Sequence, residues 1–256
     1  YSTVDTPEAL SALASRLRQV SCFALDTETT STEAMQARLV GVSFAAAKGE
    51  AYYVPVGHDE RLHPGRQLPA ELVVESLGPI LADPRICKVC HNAMFDLIVL
   101  QRHGMPVQGL TVDTMIAAWL LEPEARGIGL KNQAFQRLGV EMTNISDLIG
   151  TGRNQMTMDQ VSIARVSPYA CADADMTLRL VDVLRPELEE RNQWRLLTDL
   201  EMPLLPVLMR MEMHGMAVDA DYLREMSAEI SQRLFDLERQ IHQQAGHRFN
   251  ISSTKQ

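Results

Sequence analysis

Asp26 and Glu28 stand two residues apart at the end of a short apolar run, Ser21-Cys22-Phe23-Ala24-Leu25. On an extended strand, residues i and i+2 share a face, so the two carboxylates stand side by side. Adjacent acids repel each other, and burial raises the penalty for keeping both charged. A shared proton, a basic partner or a divalent cation relieves that penalty. Taken alone, the pair also reads as a solvated strand end.

Two further pairs follow the same logic. Asn92 and Asp96 are four apart on a predicted helix, so both face one way. Tyr169 and Asp173 repeat that spacing further on. Asp175 lies about 200° round the helix from Asp173, which makes it a poor substitute. Each pair has a plainer reading: Asn92 as a helix cap, Asp96 as a solvated charge, Tyr169 as a packed aromatic. Together they offer four carboxylates, an amide and a phenol. Hard oxygen donors suit Mg²⁺ or Mn²⁺. Four acids can hold two such ions roughly 3.5–4 Å apart, the arrangement that supports in-line displacement at phosphorus. The sequence has no Walker loop and no serine or cysteine triad, so the expected nucleophile is a metal-activated water.

The chain that must position these groups has 256 residues, 46% apolar and 22% charged. That length fits one large domain with an appendage. A net charge of −9 argues against a broad basic surface for gripping duplex DNA. It leaves room for nucleic acid at an acidic site where bound ions supply the positive charge. The longest apolar run, Met115 to Leu121, is too short to span a bilayer, so no membrane partner is expected. The chain starts at Tyr1 with no signal-like segment and is expected to be a piece of a longer, cytoplasmic protein. Cys87-Lys88-Val89-Cys90 has CxxC spacing without a second pair, on a predicted strand where i and i+3 face opposite ways. All four cysteines are therefore expected as reduced thiols.

Thr6-Pro7-Glu8 opens a helix striped by Leu10, Leu13, Leu17 and Val20. The Asp-Thr-Glu strand and the runs 39–47 and 51–56, turned at Lys48-Gly49-Glu50, give three antiparallel strands. A His-, Gly- and Pro-rich loop (57–69) precedes a helix over about 69–82 and a strand at 86–90. A helix from Asn92 stops at His103-Gly104. Asp113 then caps the helix Met115 to Leu121. Gly127-Ile128-Gly129 and Gly150-Thr151-Gly152 read as loops. Residues 158–191 are mostly helical, with Pro168 marking a break or a start. The fold class is α/β: a mixed sheet flanked by helices, followed by a helical C-terminal segment. The domains are expected at 1–191 and 192–256. Pro203 and Pro206 would kink or begin one of the later helices. Leu223, Met226, Ile230, Leu234, Leu237 and Ile241 form an apolar stripe along the helix 222–242.

Asp26-Thr27-Glu28, Asn92-Ala93-Met94-Phe95-Asp96 and Tyr169-Ala170-Cys171-Ala172-Asp173 resemble the three motifs of the DEDDy 3′→5′ exonucleases. Val112-Asp113-Thr114-Met115 lies where that family has a similar stretch. Glu201-Met202-Pro203-Leu204-Leu205-Pro206-Val207-Leu208 and Phe249-Asn250-Ile251-Ser252-Ser253-Thr254-Lys255-Gln256 resemble the thumb entry of bacterial family A DNA polymerases, the DNA polymerase I type. The resemblance implies a ribonuclease-H-like fold and proofreading removal of nucleotides from single-stranded DNA 3′ ends, in the bacterial cytoplasm, within a longer polymerase chain. By the same resemblance, Asp26, Glu28 and Asp173 hold one ion, and Asp26 bridges to a second that Asp96 contacts through water. Tyr169 and Glu28 orient the attacking water, while Asn92 and Thr27 meet the terminal nucleotide. One departure is Thr30-Ser31-Thr32, where polymerase relatives often carry an apolar wedge. An RNA-trimming enzyme of the ribonuclease D type and a silent scaffold beside a polymerase are the competing readings. With the later thumb helices absent, the stripe on 222–242 is expected to fray or to associate with a second copy.

Overall fold

The structure, a computed structural model, describes residues 1–62 and 67–254, and it divides into two compact units, Tyr1–Met213 and His214–Gln256. In the first unit, β1 (Ser2–Thr3) is followed by α1 (Pro7–Gln19), β2 (Cys22–Thr29), β3 (Leu39–Ala47) and β4 (Glu50–Pro55). Then come α2 (Ala70–Leu81), β5 (Cys87–Cys90), α3 (Ala93–Arg102), β6 (Leu110–Asp113) and α4 (Thr114–Leu121). Three short helical pieces follow: α5 (Leu130–Gln133), a π-helical turn at Ala134–Leu138, and α6 (Ile145–Ile149). The long α7 (Ile163–Glu190), the short α8 (Trp194–Leu196) and α9 (Met202–His214) come next.

The six strands lie in the order β1-β4-β3-β2-β5-β6. β2, β3 and β4 are successive antiparallel neighbours, as the apolar runs and the turn at Gly49, φ +79°, predict. β5 and β6 add in parallel beyond β2, and β1, which the sequence pattern does not mark, pairs in parallel with β4. β2 is therefore central, and both of its neighbours are in place by residue 90. Residues Leu39 to Ala46 of β3 are all buried, the signature of a strand covered on both faces. Gly41, paired with Glu28, has the Tyr53 ring where a Cβ would sit.

The helices form where caps and stripes indicate. Thr6 accepts a hydrogen bond from Ala9 N at 3.2 Å, Pro7 opens α1, and Leu10, Leu13, Ala14 and Leu17 are buried. α7 packs across β2, β3 and β4 through Val166, Ala170, Cys171 and Ala174. It starts at Ile163 and runs unbroken through Pro168, contrary to the expected break or start. Pro168 removes one amide donor near the helix start, and burial of Val166, Ser167, Tyr169 and Ala170 around it outweighs that loss. Pro203 and Pro206 lie in the first turns of α9.

A second departure concerns the cysteines. Cys22 and Cys87 are joined by a disulfide, while Cys90 and Cys171 are free and buried. The two bridged residues sit directly opposite in the parallel β2–β5 register. Spacing within one strand says nothing about the neighbouring strand, which is why CxxC reasoning did not find the pair.

The second unit holds α10 (Ala220–Ala245), capped by Asp219, whose side chain accepts from Tyr222 N at 3.0 Å, and closed by Gly246 at φ +76°. None of its residues is buried. The helix is continuous, supported by its caps and good helix formers, and its apolar stripe, Leu223, Met226, Ile230, Leu234, Leu237 and Ile241, is exposed. Of the tail motif, Lys255 and Gln256 lie outside the described residues, as do residues 63–66 of the His-, Gly- and Pro-rich loop.

Candidate active site

The C-terminal half of β2 presents Asp26 and Glu28, and α7 lays Asp173 and Tyr169 across it. Carboxylate oxygens of Asp26, Glu28 and Asp173 lie within 4.8 Å of one another. Glu28 and Asp173 are buried, and Asp26 is partly open to a cavity of about 730 Å³. Asp96 on α3 is buried beside them. Its Oδ1 accepts from Thr27 N at 3.0 Å and from Thr27 Oγ1 at 2.5 Å. The structure thus brings all four acids, Thr27, Asn92 and Tyr169 to one end of β2. Asp175 points elsewhere, to Tyr1, Gly49 and Arg179.

Asn92 is not a helical residue. It caps α3 in the left-handed region at φ +66° and makes no side-chain capping bond. What holds it is Asp113, 1% exposed, whose carboxylate accepts from Asn92 N at 3.2 Å and Ala93 N at 2.7 Å. The same carboxylate accepts from Met115 N at 2.8 Å and Ile116 N at 3.2 Å. The sequence marked Asp113 as the cap of α4; the structure shows that it caps α3 as well. That second bond set depends on β6 lying beside β5, which no local pattern encodes.

Burial pushes the Asp26 and Glu28 carboxyls well above their ordinary range, and repulsion from the neighbouring acids adds to it. Burial raises Asp96 to about 7 against the downward pull of the Thr27 donors. It also raises Asp173, opposed by Lys131. The Tyr169 phenol is pushed up by burial and by the charge of Asp173, so at neutral pH it is a hydrogen-bond donor and not a base.

Lys131 on α5 is the site residue that sequence reasoning missed. Its ammonium pairs with Asp173 Oδ1 and sits 4.2 Å from the centroid of the Tyr169 ring. The only local signal was the four-residue spacing of Leu130, Ala134 and Leu138 in a stretch that reads as polar loop. The cavity wall also includes Phe95, Ile145, Ile149 and Met156, which supply apolar surface in a lining that contains Thr30, Ser31 and Thr32.

The donor set fits a hard divalent cation. Three carboxylate oxygens converge, and Glu28 Oε1 is buried with no hydrogen-bond partner. A family model described as 3′-5′ exonuclease matches residues 1–189. The chain belongs to the 3′-5′ exonuclease family. DNA polymerase I of Pseudomonas aeruginosa is 40% identical over 259 residues, covering 100% of this chain and 28% of that protein. DNA polymerase I of Chloroflexus aurantiacus is 43% identical over 251 residues, covering 97% and 26%. The chain therefore spans about a quarter of the length of these curated relatives.

Among solved structures, this exonuclease chain resembles the polymerase domain of Pol1 from M. smegmatis in complex with DNA primer-template and dNTP. The TM-score is 0.74 and the identity 24%, over 99% of this chain and 39% of that one. It also resembles Escherichia coli RNase D, an exoribonuclease, with TM-score 0.61 and 23% identity over 82% and 51%. These likenesses establish the fold, a ribonuclease-H-like mixed sheet flanked by helices. Among the described residues, no helix is long and apolar enough to cross a membrane.

Proposed function

We propose that this exonuclease removes nucleotides from single-stranded DNA 3′ ends as the proofreading part of a bacterial DNA polymerase I acting in the cytoplasm. In this reading, residues 1–191 carry the nuclease and 192–256 begin the polymerase domain, whose remaining chain is the natural partner. The convergence of Asp26, Glu28 and Asp173 around the unpartnered Glu28 Oε1 carries the proposal.

Asp26, Glu28 and Asp173 would hold one Mg²⁺ or Mn²⁺, with Asp26 and Asp96 serving a second. Bound ions would supply charge stabilisation at phosphorus and a nucleophile at neutral pH. The protein's own groups do the positioning. The Thr27 backbone and hydroxyl fix Asp96 at the rim of the cluster. Tyr169 keeps its proton and donates it as a hydrogen bond, so with Glu28 it can orient a water without abstracting the proton itself. Asn92, held in its left-handed turn by Asp113, lines the cavity and would meet the terminal nucleotide there. Burial of Glu28, Asp96 and Asp173 strengthens the electrostatic contacts they make.

The ribonuclease D likeness rests on fold, whereas the relatives of 40% and 43% identity are DNA polymerases, which favours DNA as substrate. All four acids are in place, which speaks against a silent scaffold. Thermal melting with added Mn²⁺ tests the metal assignment. Wild type gains stability as the ion binds the folded state, and Asp26→Ala does not. An equal gain in Asp26→Ala would remove Asp26 from the site.

A further inference from the structure

Among the described residues, the one ion pair made by any of the four site carboxylates is that of Asp173 with Lys131. The lysine is not a surface residue that happens to reach in. Its side chain is 26% exposed. α5 is tied down by Gln133, 1% exposed, whose Nε2 donates to Gly127 O at 2.9 Å and whose Oε1 accepts from Arg137 Nε at 2.7 Å. Arg137 in turn pairs through Nη1 with Glu187 of α7 at 2.5 Å. Lys131 is thus anchored to the same helix that carries Tyr169 and Asp173.

Its ammonium touches both of those residues at once, bonding the carboxylate and lying over the phenol ring. The Asp173 oxygens are also those that an ion held by Asp26 and Glu28 must share. Ammonium and ion would therefore contest one carboxylate and repel each other. A lysine head is a compact charge on a flexible stem, so it can leave Asp173 and remain over the ring.

We propose that Lys131 is the resident counter-ion of the site. In the ion-free protein it holds Asp173 and Tyr169 in their working positions, and it sets metal affinity by competing for Asp173. This rests on the metal-dependent reading above. Lys131 is a positioning residue in this account, because it acts through the aspartate and the tyrosine.

The test is Mn²⁺ affinity of the whole chain without DNA, read from the electron paramagnetic resonance signal of free Mn²⁺, together with melting in EDTA. Lys131→Met and Lys131→Gln should each bind Mn²⁺ about tenfold more tightly, because one nearby like charge is gone. Both should melt at lower temperature in EDTA, because the acids then face one another without a counter-ion. Lys131→Arg, which keeps the charge, should lie nearer to wild type than the Met and Gln variants in both measurements. Unchanged or weaker Mn²⁺ binding in the Met and Gln variants would overturn the competition. Lys131→Arg behaving like the Met and Gln variants would do the same, since the charge is retained there. Wild type that binds no Mn²⁺ would overturn the metal-dependent reading itself, a separate outcome.

Discussion

Asp113→Ala separates the structural frame of the site from its chemistry. One carboxylate of 1% exposure serves four amide donors at 2.7–3.2 Å, two at the start of α3 and two at the start of α4. Amides in the first turn of a helix have no intrahelical acceptor, so Ala leaves them without a partner in a dry setting. Loss of one cap costs about 0.5–2 kcal/mol, and two buried caps lost together cost about 3 kcal/mol. For a folded unit of roughly 200 residues, about 2–4 °C is lost per kcal/mol, so the melting temperature should fall by about 6–12 °C. Asp113→Asn keeps one acceptor oxygen, which can still serve the Asn92, Met115 and Ile116 amides. It turns a donor toward Ala93, however, and should lose about half as much. The assay is thermal unfolding at pH 8 in EDTA, so that ion binding does not contribute. A loss below about 2 °C for Asp113→Ala would refute the double-cap account.

Other outcomes follow from the same geometry. The folded-state pKa values of Asp26, Glu28 and Asp96 lie above those of the unfolded chain, with Asp96 at about 7. The folded protein therefore keeps protons that the unfolded chain has released above about pH 4. This contribution to stability is full below that pH and is lost as pH rises through 7. The melting temperature in EDTA should fall between pH 5.5 and pH 8, and the gain from Mn²⁺ should be larger at pH 8. A flat profile in EDTA would contradict the crowding of the acids. Tyr169→Phe should leave Mn²⁺ affinity unchanged and slow cleavage by roughly 10²-fold or more, measured under single-turnover conditions. Full-rate cleavage by that variant would remove the phenol from the chemistry.

What the sequence could and could not reveal divides along physical lines. The i, i+2 pair on β2 and the i, i+4 pair on α7 are local periodicities, and both place their acids as expected. The cap Thr6, the hairpin at Gly49 and the buried run of β3 are local too. The misses all need knowledge of what lies across from a residue. Cys22 meets Cys87 only because β5 joins β2 in that register. Asp113 reaches Ala93 only because β6 lies beside β5. Lys131 reaches Asp173 from 42 residues away, out of a stretch whose short helices are too brief to show a stripe. α7 passes Pro168 because tertiary burial outweighs one missing donor, a balance that propensity does not contain.

The central claim is a metal-dependent attack on DNA 3′ ends by the Asp26, Glu28, Asp96 and Asp173 cluster. The most direct measurement is digestion of 5′-labelled single-stranded DNA and RNA, side by side, in Mn²⁺ and in EDTA. The account predicts a ladder that shortens from the 3′ end of DNA in Mn²⁺, and none in EDTA or with Asp26→Ala. A preference for RNA, or a ladder that persists in Asp26→Ala, would contradict it.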